Sequence, residues 1–93
     1  MIVGTCTVEV YIGGSQSLKD KRRVVKSAID QVKNHFNVSI AEVGNLEQWQ
    51  RATLGIAVVS SDAVLANQVL SGVIKHLEKR GIMEILDYSI ELL

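Results

Sequence analysis

Lys19, Lys21, Arg22, Arg23 and Lys26 fall within eight residues, and with Lys33 they give residues 17–36 six of the ten Lys and Arg side chains of a 93-residue chain. Cations at this density form either a solvated helix face or a surface that binds anions, phosphates above all. Ser17 followed by Asp20 reads as a helix N-cap with its capping-box partner. Cations in a first helical turn oppose the helix dipole, at roughly 0.3–1 kcal/mol each. The unpaired backbone amides of the same turn also favour an anion. Side chains that cost stability without helping the fold are candidates for binding. Lys19, Lys21, Arg22, Arg23 and Lys26 are therefore the first anion- or RNA-binding candidates.

Trp49 is the single Trp, in a polar segment with Gln48, Gln50 and Arg51. Its indole either folds over the core edge or offers a platform to a base or a protein partner. Lys79 and Arg80 complete the candidate cations; they also complement the negative end of a second helix, which Gly81 stops. Catalytic chemistry is not spelled out. Cys6 is the only cysteine, which excludes an internal disulfide and a thiolate metal cluster. Alternation places it in the core as an inert thiol. Gly13-Gly14 lacks both the G-x-x-x-x-G-K-[ST] phosphate loop and the G-x-G-x-x-G dinucleotide pattern, and reads as a plain turn. No Ser-His-Asp set or carboxylate pair can be assembled. The expectation is no catalytic residue, no metal site and no cofactor.

The elements that position these residues follow from periodicity. Residues 2–12 alternate, with Gly4, Cys6, Val8, Val10 and Ile12 on one face, which predicts a strand. Leu18, Val25, Ile29, Val32 and Phe36 recur at helical spacing, flanked by Ala28 and opposite Lys19, Arg23, Lys26 and Lys33. Residues 38–43 read as a short strand, residues 44–50 as a loop, and residues 51–60 as a strand with Ala52, Leu54, Ile56 and Val58 inward. The two strands form a hairpin. Ser60-Ser61-Asp62 caps a second helix carrying Ala66, Val69, Leu70, Val73, Ile74 and Leu77. Residues 83–92 form the last strand, with Leu86, Tyr88, Ile90 and Leu92 on one face.

The order β-α-β-β-α-β predicts a ferredoxin-like α+β sandwich. Right-handed crossovers place both helices on one face of a four-stranded antiparallel sheet of order 4-1-3-2. The helix-one start, the residue 44–50 loop and the helix-two end then share one end of the fold. That end gathers Lys19, Lys21, Arg22, Arg23, Trp49, Arg51, Lys79 and Arg80, tempered by Asp20, Glu42, Glu47 and Glu84. His35 and His76 fall at opposite ends and share no metal. The bare sheet face carries Val3, Thr5, Thr7, Tyr11, Thr53, Gly55, Ala57, Val59, Ile85 and Ser89. Its semi-apolar character, with small residues at the centre, suits a homodimer through the open sheet face.

Length and composition set the frame. Ninety-three residues, 47% hydrophobic and 22% charged, make a single globular domain, 1–93. Formal net charge is zero, so any anion site is local and long-range steering is weak. No run approaches the ~20 apolar residues of a membrane span. No secretory signal opens the sequence, and with the lone cysteine a reduced, cytoplasmic setting is expected.

Several segments together carry a resemblance: Ser17-Leu18-Lys19-Asp20-Lys21-Arg22-Arg23-Val24-Val25-Lys26, Phe36-Asn37-Val38-Ser39, Ala41-Glu42-Val43-Gly44, Trp49-Gln50-Arg51-Ala52 and Leu54-Gly55. They resemble the YlxP-like family of small bacterial proteins of unknown function, over nearly the whole chain. The resemblance implies a ferredoxin-like fold. It also implies a gene neighbourhood of translation and ribosome-maturation factors, including initiation factor two and ribosome-binding factor A. It supplies no catalytic residue and no cofactor. The expected function is a non-enzymatic binding protein that meets RNA or a ribosomal subunit through its basic end. The alternative is a sensor of small molecules of amino-acid type, because amino-acid-binding regulatory domains share this topology and a Gly-containing turn after strand one. An acylphosphatase-like hydrolase ranks below both, since the Gly-rich phosphate loop of that class is missing after strand one.

Overall fold

Alternation in the first dozen residues decides the centre of the molecule. A computed structural model describes residues 1–93 as β1 (Ile2–Tyr11), α1 (Leu18–His35), β2 (Ser39–Gly44), β3 (Arg51–Ser60), α2 (Ala63–Glu78) and β4 (Glu84–Leu92). β1 pairs antiparallel with β3, from Ile2 opposite Ser60 to Tyr11 opposite Arg51. Its other edge pairs antiparallel with β4, where Gly4 faces Leu92. β2 joins the far side of β3, giving the order β2-β3-β1-β4 that the topology predicts. Val8, Val10 and Ile12 of the central strand and its exit join Leu54, Ile56, Val25, Val32, Leu70, Val73 and Leu77 in one buried cluster. Each large aliphatic side chain fully buried there contributes about 1.5–3 kcal/mol.

The helix ends follow their caps. Ser17 Oγ accepts the Asp20 N–H at 3.1 Å. Asp20 accepts the Gln16 N–H at 3.2 Å, one residue further back than a capping box requires. Asp62 caps α2 by accepting the Leu65 N–H at 2.8 Å. Gly81, at φ +75°, makes the left-handed turn that releases the chain toward β4.

The last strand departs from simple alternation. Asp87 stands opposite Glu9 and Ile85 opposite Val10, so Leu86 is the extra residue of a β-bulge. The bulge turns Ile85 toward the helices, where it packs on the core, while Leu86 stays exposed. Ile85 therefore leaves the bare face on which alternation placed it.

The helices are also staggered. Arg80 bonds Ser27 and Gln31, and the Phe36 ring lies against Gly72, so α1 and α2 overlap along their C-terminal halves. The molecule measures 42 by 21 by 17 Å along its principal axes. One expectation falls with the stagger. The His35 and His76 rings, assigned to opposite ends, lie 4.9 Å apart at the helix seam, and Phe36 meets His76 edge-on.

Candidate nucleic-acid interface

The segment between β2 and β3 is pinned from two directions. From the helix side comes Lys21, whose side chain is 0% exposed. Its Nζ donates to the Glu42 carboxylate at 2.7 Å, to the Asn45 carbonyl at 2.9 Å and to the Leu46 carbonyl at 3.2 Å. An ammonium has three hydrogens, and all are used. Lys21, an anion-binding candidate by sequence, is thus a structural tether and leaves the site. The cause is its spacing: Leu18, Lys21, Val25, Ala28 and Val32 form one helical stripe, so position 21 faces inward. From the turn side comes Gln50, whose Nε2 donates to the Gly13 and Ser15 carbonyls, each at 3.1 Å. The Ile12 N–H donates to the Gln50 carbonyl at 2.8 Å. Asn45 adopts φ +57° and donates to Thr53 Oγ1 at 2.9 Å, and Thr53 donates to Glu9 at 2.8 Å.

These ties shape a cleft of about 660 Å³ lined by Tyr11, Trp49, Arg51, Glu47, Gln48 and Gln50. Trp49 is 55% exposed, so it does not cap the core. Tyr11 is 37% exposed and stands across the β1–β3 ladder from Arg51. Its ring rests on Gly13, where an added Cβ would come within 2.9 Å of it. Arg51 is half-buried, and its Nε is buried with no hydrogen-bond partner. Two aromatic faces, a guanidinium and two amide side chains thus share one opening. Alternation puts Tyr11 on the bare sheet face; its place at the strand end, ahead of Gly13, is the clue to this opening.

The remaining candidate cations divide. Lys19, Arg22 and Arg23 are exposed along the first turns of α1 and enter no ion pair. Lys26 is also exposed but pairs with Asp30 at 3.1 Å. Arg80, expected beside the α1 start, is instead held by Ser27 Oγ at 3.2 Å and by Gln31 Oε1, farther along α1. The helix stagger is the reason. Lys79 stays with it near His76. Burial lowers the His76 pKa below its ordinary value, and the charges of His35, Arg80 and Lys79 lower it further. Burial pushes the Cys6 thiol up. Arg23 thus borders the Gly13-Gly14 turn, Trp49 and Arg51 share the opening beyond Tyr11, and Lys19 and Arg22 stay exposed on the first turns of α1.

The sequence profile of the family described as "Protein of unknown function (DUF503)" matches residues 3–90. The chain belongs to this family. A relative in sequence is the "Uncharacterized protein YlxP" of Bacillus subtilis (strain 168), 40% identical over 77 residues, which cover 83% of this chain and 84% of that protein. Solved structures share the fold at low identity. The "De novo designed protein Foldit4" superposes with a TM-score of 0.55 at 13% identity, over 98% of this chain and 96% of that one. The designed protein LFR1 1 "with ferredoxin fold" gives 0.54 at 17% identity, over 100% and 84%. These likenesses establish DUF503 as a ferredoxin-like fold in this chain and say nothing of its activity. No helix is long and apolar enough to cross a membrane.

Proposed function

We propose that this chain is a non-enzymatic RNA-binding protein acting on single-stranded or ribosomal RNA. The carrying observation is the opening in which exposed Trp49 and Tyr11 flank Arg51. Stacking on aromatic side chains with a cation beside them is how single strands are held without a sequence code. Exposed Lys19, Arg22 and Arg23 on the first turns of α1 supply phosphate contacts, Arg23 beside the turn that Gln50 fastens to the loop. Zero net charge keeps the affinity modest. A non-specific Kd of about 10⁻⁴–10⁻⁶ M at physiological salt is expected.

Trp49 is the only Trp, so its fluorescence reports the site directly. Titration with a single-stranded RNA oligonucleotide should quench it. If Lys19, Arg22, Arg23 and Arg51 neutralise one phosphate each, the log–log salt slope is about −2.8. Exchanging Arg22 and Arg23 together for Glu should bring the slope to about −1.4 or lower in magnitude. Equal binding by wild type and double mutant at low salt would end the proposal. Co-migration with ribosomal subunits on a lysate gradient tests the cellular partner.

A further inference from the structure

A second cleft lies on the other side of Tyr11. The Gly13-Gly14 turn, the first turns of α1 and residues 81–84 enclose about 670 Å³. Sites for small molecules span roughly 300–1,000 Å³. Its floor is apolar, formed by buried Ile12 and Met83 with half-buried Val24. Its rim holds Asp20, Arg23 and Glu84. Charges of both signs therefore line one opening without pairing: the ion pairs of the molecule join Lys21 to Glu42 and Lys26 to Asp30. Asp20 Oδ2 accepts the Gln16 N–H, and its Oδ1 takes part in no hydrogen bond within the chain. The wall is built in advance, because Gln50 holds the Gly13 and Ser15 carbonyls from behind. Above Gly14 the space is open; a Cβ there would touch nothing.

We infer that this cleft binds a small zwitterion, a free α-amino acid with a large apolar side chain. The carboxylate sits on Arg23, the ammonium between Glu84 and Asp20, and the side chain on the Ile12, Val24 and Met83 floor. Charge complementarity selects this class. A neutral apolar ligand would bury the rim charges without partners, at a desolvation cost. A simple anion would face Asp20 and Glu84, and a simple amine would face Arg23. A ligand with both charges beside an apolar group answers all three side chains. The cleft shares Tyr11 with the aromatic opening and Arg23 with the proposed phosphate contacts, so the amino acid is tested in the absence of RNA.

The test is an amide chemical-shift titration of the full chain with L-phenylalanine, 3-phenylpropanoate and 2-phenylethylamine. Phenylalanine should shift the Gly13, Gly14 and Ile82 amides with a Kd of roughly millimolar or tighter. Each singly charged analogue should bind at least about tenfold more weakly, the worth of one charge-assisted hydrogen bond. Glu84→Gln should weaken phenylalanine about tenfold and leave 3-phenylpropanoate no weaker. Its melting temperature should be that of the wild type and its RNA affinity no lower, so failure here leaves the RNA proposal standing. No shifts with any probe at about 10 mM, equal binding by all of them, or an unchanged phenylalanine affinity in Glu84→Gln would each overturn the inference.

Discussion

Replacing Lys21 by Met keeps the aliphatic stem and removes the charge that holds Glu42. The Glu42 side chain is only 14% exposed, so its carboxylate would be left nearly buried without a counter-charge. Removing one partner of a buried pair costs about 3–5 kcal/mol. Residual solvent access at Glu42 argues for the lower end, about 3 kcal/mol. A domain of this size holds about 5–14 kcal/mol of total stability, so the loss is a large fraction of it. In a thermal melt it corresponds to a fall of about 12–24 °C. Lys26→Met is the control, because Lys26 and Asp30 form the same kind of pair with side chains 79% and 56% exposed. That exchange should cost no more than ~0.5 kcal/mol. The double exchange Lys21→Met, Glu42→Leu should recover most of the loss, since a buried pair can be replaced by apolar groups of similar volume. Solvent reaches exposed Leu46 and can take up part of the hydrogen bonding that its carbonyl loses. A Lys21→Met melt within about 2 °C of the wild type would refute the reasoning, as would a double mutant no more stable than the single.

Further outcomes follow from the same geometry. His76 is held neutral by burial and by neighbouring charges, so its folded pKa lies below the 6.5 of the unfolded chain. Its stabilising share is therefore complete above pH 6.5 and is lost as the pH falls through the lowered value, a loss that melts recorded from pH 8 to 4 should show and that His76→Gln should diminish. Gly81→Ala forces a Cβ into φ +75° and should lower stability by roughly 1–2 kcal/mol, measured by urea denaturation. Trp49→Ala should leave the melt unchanged, because the ring is exposed, and weaken RNA binding by ~1–3 kcal/mol. Cys6, buried and with its pKa raised, should react with a thiol reagent only after denaturation.

The sheet was legible because β1 and β3 alternate without interruption, and both helix starts because Ser17 and Asp62 are strong caps. What alternation cannot show is an inserted residue. Leu86 and Val43 each sit at a register shift, and the first of these moved Ile85 from one face of the sheet to the other. Helix stagger was equally hidden, since connectivity fixes direction but not how far α1 slides along α2. That single unknown misplaced Arg80 and separated His35 from His76. Lys21 is different, because its position in the Leu18–Val25–Val32 stripe could be read. Charge drew it into the surface cluster, although helical spacing assigned it to the interior. Trp49 was open to either fate from composition alone, and its exposure decides between them.

The place of β1 in the sheet also governs how the chain comes together. Its neighbours are β3 and β4, so Tyr11 waits for Arg51, and Gly4 for Leu92. The β2–β3 hairpin and the two helices can form from nearby residues, whereas the central strand closes only long loops. Folding dominated by such distant pairings is slow, because loop-closure entropy is lost before the contacts repay it. During synthesis the first strand would stay unpaired until β3, which ends at Ser60, had followed the first helix, with its Val-rich edges open to other chains. Refolding kinetics should therefore show β1 protection arriving late, together with β4, and after the amides of the hairpin.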